Sequence, residues 1–175
     1  MIHPSGAPPF MMLGYEAEKA LIRDWETRYK LPIFTSGSNA IAALRALNAK
    51  RLIGVTYTNP AFNAAYTTYF EDAGIDVLTM SSMEIPFDRV QEVSLREVYR
   101  FIRDLFLAHP TGEAIYIQGP TFHMLDIIDD LEQDLGIPIV HHSPASCWEM
   151  MKRLHVNKPV RGFGKLIAEM PALPI

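Results

Sequence analysis

Residues 51–80 read RLIGVTYTNPAFNAAYTTYFEDAGIDVLTM, and three segments stand out in them. Arg51–Tyr57 is an apolar, β-branched run of strand length. Asn59 and Pro60 then offer an N-cap and a first-turn proline, and Phe62, Tyr66, Tyr69, Phe70 and Ala73 recur at helical spacing up to Gly74, a helix stop. Ile75–Met80 is again apolar and β-branched. Strand, helix and strand in succession is the βα unit of a parallel sheet, since parallel neighbours cannot be joined by a tight hairpin.

The alternation continues on both sides. Leu31–Phe34 lies before this unit, and Glu113–Gln118 and Ile137–His141 lie after it, as further strands. Helical period predicts helices near 16–30, 38–48, 122–135 and 145–155. Another, following Ile75–Met80, carries Leu95, Val98, Tyr99, Ile102, Leu105 and Phe106 on one stripe, opened by Ser94 and Glu97 at capping-box spacing. Beyond Val156 the chain is rich in Pro and Gly and reads as a tail.

A chain of 175 residues, 49% of them hydrophobic, can bury one sizeable core or two small lobes. Its net charge is −4, with bases scattered rather than clustered, so it offers no positive patch for nucleic acid or an anionic membrane. No apolar run reaches the roughly 18–20 residues that cross a bilayer. Cys147 is alone and no leader pattern opens the chain, which points to the cytoplasm. The expected partners are small molecules and, in a homo-oligomer, other copies.

Parallel βα units place ligands at the carboxyl ends of their strands. Here those ends read Phe34-Thr35-Ser36-Gly37-Ser38, Thr56-Tyr57-Thr58-Asn59, Gln118-Gly119-Pro120-Thr121 and His141-His142-Ser143-Pro144. Hydroxyls and amides recur, while lysine, arginine and acids stay away. That suits a carboxylate or other small oxyanion better than a nucleotide, for which no phosphate loop or G-x-G-x-x-G is present. The Tyr57 hydroxyl could hold a substrate oxygen or simply pack.

His141 and His142 point to opposite faces of an extended strand end, so they cannot share a zinc ion; either could carry a proton or make a structural hydrogen bond. The other histidines, His3, His109, His123 and His155, read as structural or solvated. Cys147 shares a helix with Trp148, Met151 and Leu154 and is expected to pack as a small hydrophobe. Asp126, Asp129, Asp130, Glu132 and Asp134 alternate with Leu125, Ile128, Leu131 and Leu135, the pattern of a solvated helix face.

An ordered set of short stretches resembles the cofactor-independent aspartate/glutamate racemase superfamily, on its maleate isomerase and arylmalonate decarboxylase branch. The set runs from Gly6-Ala7-Pro8-Pro9 and Gly14, through Leu31-Pro32, Thr35-Ser36 and Ala43-Leu44-Arg45-Ala46-Leu47, to Tyr57-Thr58 and Asn63. It ends with Leu125-Asp126, Leu135-Gly136-Ile137-Pro138-Ile139-Val140, Ser143-Pro144-Ala145 and Trp148. The resemblance implies two pseudo-symmetric α/β lobes with a cleft between them, and no metal or organic cofactor. Residues 1–49 would be the remainder of an incomplete first lobe, 50–142 the second lobe, and 143–175 a helix and tail returning to the first. Relatives carry about a further half-domain ahead of the point where this chain begins.

The resemblance also places Gly6 and Gly119 at the two positions where family members carry the cysteines that move protons or attack a double bond. Glycine also stands at the first position in the decarboxylases. The small dicarboxylate would lie against Gly6, Ala7, Tyr57, Thr58, Gly119 and Thr121, with His142 the candidate proton carrier. Two readings follow: an isomerase, decarboxylase or racemase acting on a malonate- or maleate-like acid, or an inactive carboxylate-binding protein or truncated pseudoenzyme.

Overall fold

Strands β1 (Arg51–Thr56), β2 (Asp76–Ser82), β3 (Ala114–Ile117) and β4 (Ile139–His141) form one parallel sheet in the order β2-β1-β3-β4. The computed structural model describes residues 1–57, 59–119 and 122–174. Around the sheet lie α1 (Ala7–Met11), α2 (Tyr15–Tyr29), α3 (Ser36–Ala46), α4 (Pro60–Asp72), α5 (Leu95–Ala108), α6 (Ile128–Leu135), α7 (His142–Arg153) and α8 (Lys165–Glu169). This is the parallel α/β class that the alternation predicts.

Side-chain alternation divides the sheet between two cores. Leu52, Ala114, Tyr116 and Val140 face α1–α4, α7 and α8, whereas Ile53, Val55, Ile115, Ile117 and Ile139 face α5 and α6. Both central strands are covered on both sides, as parallel sheets require. Local chemistry starts the helices where expected. Asn59 accepts the Ala61 N–H ahead of α4, and Ser94 and Glu97 form a reciprocal box ahead of α5, each such cap being worth about 1 kcal/mol.

Leu31–Phe34 departs from expectation: it makes a single parallel bridge, Ile33 to Ile2, in place of a strand. Pro32 has no N–H to extend a ladder, and among the described residues only Ile2 pairs with this segment. Phe62 departs from the expected buried face, being 38% exposed; the next residue, Asn63, is buried instead, accepting from the Thr56 hydroxyl and donating to the Met80 carbonyl. The tail after Val156 contains α8, whose opening N–H groups at Gly164 and Lys165 are accepted by Asp129 and Glu132. Two acids of the expected solvated face therefore hold the tail in place, and Glu132 is half-buried.

Candidate functional site

The strand order has one reversal. β1 is followed by β2 on one side, and the chain then crosses back to lay β3 on the other, so the crevice of the sheet opens at the carboxyl ends of β1 and β3. Val55 and Ile117 are paired there, and two residues beyond them stand Tyr57 and Gly119. The topology itself brings these two expected site residues together.

Tyr57 is 8% exposed and meets Phe122 edge-on, with 5.6 Å between ring centres. Gly119 is buried, with φ 68°. Beneath them Gln118 donates to the Tyr66 hydroxyl at 2.9 Å, and the Tyr116 hydroxyl reaches Met11 Sδ at 3.7 Å. Burial, followed by neighbouring tyrosines, pushes both phenols up, so they remain neutral O–H groups. Through Tyr116 and Met11 this floor extends to α1.

Gly6 precedes α1 with φ 110°, and its N–H donates to Ser36 Oγ at 3.1 Å. A Cβ built there would come no nearer than 4.0 Å to Pro9 Cδ, so side-chain space exists although the backbone disfavours an L residue. Ala7 is 3% exposed, its methyl lying in the core; only its main chain can serve a ligand. Pro8 and Pro9 contribute no N–H. Thr58 and Thr121 lie outside the described residues.

His141 ends β4 and His142 opens α7, so the two do not continue one strand, and their rings have different neighbours. His142 opens α7 half-buried, its ring 6.1 Å from that of His3, and burial followed by His3 holds its pKa below the ordinary imidazole value. His3 is structural: it stacks on Phe34 at 4.3 Å, its Nδ1 meets the Phe34 carbonyl at 3.0 Å, and its Nε2 lies 3.3 Å from Ser146 Oγ. His141 caps α7, its Nδ1 accepting the Ser143 N–H at 3.2 Å. Burial and then His142 hold it down to about 4, against a weaker opposing effect of the Phe122 main chain.

Cys147 corrects the sequence reading, because it is exposed. Successive helix residues are turned by about 100°, so with Trp148 and Ala145 buried against the sheet, Cys147 falls on the outer face of α7. Among the described residues no group of three His, Cys, Asp or Glu side chains could hold a metal ion, and no helix is long and apolar enough to cross a membrane.

Sequence reasoning missed a buried polar network beside this crevice. Glu18, fully buried on α2, accepts hydrogen bonds from Thr35 and Tyr69. Burial pushes its pKa up, opposed by those hydroxyls and the Ser38 main chain. Gly37 is required here, since a Cβ would stand 2.7 Å from Tyr69 Oη and 2.8 Å from Glu18 Oε1. Asn39 Nδ2 donates to Glu149 at 2.8 Å and to the Ala145 carbonyl at 3.0 Å, and Arg153 pairs with Glu149 at 2.7 Å. No sequence signal marks the bonds of Glu18 and Asn39, whose partners lie 17 to 110 residues away; only Glu149 and Arg153 have the i,i+4 spacing of a helical pair.

A family model for arylmalonate decarboxylase matches residues 10–167. The curated arylmalonate decarboxylase of Bordetella bronchiseptica is 24% identical over 141 residues, covering 79% of this chain and 59% of that protein. A crystal structure of arylmalonate decarboxylase superposes with a TM-score of 0.88 at 22% identity, over 95% of this chain and 74% of the other. A cysteine-to-alanine variant of the maleate isomerase Iso from Pseudomonas putida S16, solved with maleate, gives 0.85 at 22% identity, over 95% and 68%. This chain therefore spans less than two thirds of the curated relative and shares the fold of both enzymes. With the family model matched along nearly its whole length, the chain belongs to the arylmalonate decarboxylase family.

Proposed function

We propose that this chain binds a small dicarboxylate of the malonate or maleate kind at the mouth of the β1/β3 crevice, and that it does so without cysteine chemistry. The observation that carries this reading is the convergence of Tyr57 and Gly119 at the single reversal of strand order, above a floor of neutral polar groups, Gln118 bonded to Tyr66 and Tyr116 to Met11. Preorganised donors of this type hold carboxylate charge without having to reorganise. Residues 1–49 and 143–175 would form one wall of the cleft and 50–142 the other; the Asn39 bonds to Ala145 and Glu149 on α7 support that grouping. In the family pattern the reactive thiols belong at Gly6 and Gly119, while Cys147 faces outward on α7.

A second, catalytic reading rests on His142. Burial favours its neutral form, able to accept a proton, and it stands beside His3, three residues ahead of Gly6 in the chain. Calorimetric titration of malonate, maleate and aspartate against wild type and Tyr57→Phe tests the binding reading. Binding that weakens several-fold in Tyr57→Phe supports the proposed cleft. Failure of all three acids to bind at millimolar concentration, or indifference to the lost hydroxyl, rejects it. Loss of measurable turnover in His142→Gln with binding retained would favour the catalytic reading.

A further inference from the structure

The inward stripe of α2 is buried only at its start. Tyr15 and Glu18 are buried, but Leu21, Ile22 and Trp25, which continue the stripe at helical spacing, are half-buried, and Tyr29 at its end is 52% exposed. None of these last four side chains belongs to either core. Neighbouring segments widen the apolar face. The Phe10 ring meets Trp25 edge-on at 6.2 Å, and the exposed Met12 and Leu13 follow it in the chain. At the other end Glu26 accepts the Ile33 N–H at 2.9 Å, with the exposed Leu31 between them in the chain.

We infer that a second copy of the chain docks on this face, with α2 lying antiparallel against α2 of its partner about a two-fold axis near Trp25. The occupant follows from the charges beside the stripe. Asp24 and Arg28 are both exposed on its Leu21 side, at the i,i+4 spacing that allows a helical pair, yet neither has an ion-pair partner among the described residues. A two-fold axis across the helix presents the same flank of each copy to the other, running in opposite directions. Asp24 then faces the partner's Arg28, and Arg28 faces the partner's Asp24.

The flank is therefore complementary to itself. In the same arrangement Leu21 and Ile22 lie opposite the partner's Tyr29, and the two Trp25 side chains meet at the axis. An exposed apolar patch with a polar rim marks a contact surface, and Trp and Tyr are the residues enriched at the centre of such contacts.

Sedimentation equilibrium of the full chain at micromolar concentration tests this, with circular dichroism to show that each variant is folded. Wild type should be a dimer, and Tyr29→Glu, a change on an exposed position, should weaken association at least tenfold. Asp24→Arg and Arg28→Asp each set like charges against one another across the axis and should do the same. Mixed in equal amounts, these two variants should associate again, because a copy carrying two bases then meets a copy carrying two acids. Pairing within one helix cannot produce that rescue. A monomeric wild type would leave the face to a different polypeptide and overturn the inference. Indifference to Tyr29→Glu, a mixture that associates no more tightly than either variant alone, or association of indefinite order from non-specific apolar contact would each overturn it as well.

Discussion

The polar side chains beneath α3 and those at the mouth of the β1/β3 crevice differ in what they are committed to. Under α3 two buried groups are internally bonded, Glu18 with Thr35 and Tyr69, and Glu149 with Asn39 and Arg153, and they tie α2, α4 and α7 to one helix. At the crevice mouth stand Tyr57 and Gly119, and the dicarboxylate reading would add Gly6, Ala7 and His142 to its rim. The difference teaches that proximity of charged residues to a family cleft says little about chemistry. The buried carboxylates here are structural, and the proposed rim would offer main chain, one phenol and one imidazole.

Breaking the buried side of that comparison should cost most. Glu149→Ala leaves Asn39 and Arg153 without their acceptor, and removing one member of a buried ion pair costs roughly 3–5 kcal/mol. Arg153 keeps 26% of its side chain in water, so a loss of about 3 kcal/mol in urea denaturation is expected. A loss below about 1 kcal/mol would mean the network is incidental.

His141 sharpens the comparison through pH. Its folded pKa, about 4, lies below the ordinary 6.5, so the unfolded chain takes up the proton first. The stability tied to the neutral ring is present above pH 6.5 and is lost as pH falls towards 4, by on the order of 3 kcal/mol at 1.36 kcal/mol per pKa unit. His141→Asn keeps an N-cap acceptor for Ser143 and should flatten that part of the stability curve. An unchanged acid limb would assign the loss to other groups.

Gly37→Ala presses a methyl against Tyr69 and Glu18 and should destabilise by about 2 kcal/mol, within the range for overpacking a filled site. Tyr69→Phe in the same background should recover part of it, because it removes the oxygen that the methyl meets; no recovery would place the strain elsewhere. Cys147→Ser lies at the small end. The thiol is exposed, so the change should stay within about 0.5 kcal/mol by thermal denaturation, and a larger loss would mean the outer face of α7 is packed against something.

What could be read from the chain follows the range of the interactions. Strands β1 to β4 and the caps at Asn59 and Ser94 rest on neighbours a few residues away, and they were legible. The side of α7 on which Cys147 falls was not, since one residue shifts a helical position by about 100° and Trp148 and Ala145 already claim the buried side. Asn39 and Glu149 lie 110 residues apart, and Glu18 is buried by Thr35 and Tyr69, which only the assembled fold delivers. The neighbouring strand ends that carry Tyr57 and Gly119 could be named from the chain, whereas the Ser36 hydroxyl that takes the Gly6 N–H depends on how α1 lies on α3.

The central claim is that the crevice holds a dicarboxylate without transforming it through a thiol. One experiment addresses both halves: proton NMR of maleate incubated with the wild-type chain, with saturation transfer reporting contact and the olefinic region reporting conversion to fumarate. Saturation transfer that is lost in Tyr57→Phe, with the maleate signal undiminished over hours, is the predicted result. Fumarate accumulating at a rate proportional to protein concentration, or the absence of any transfer to maleate, would contradict the account.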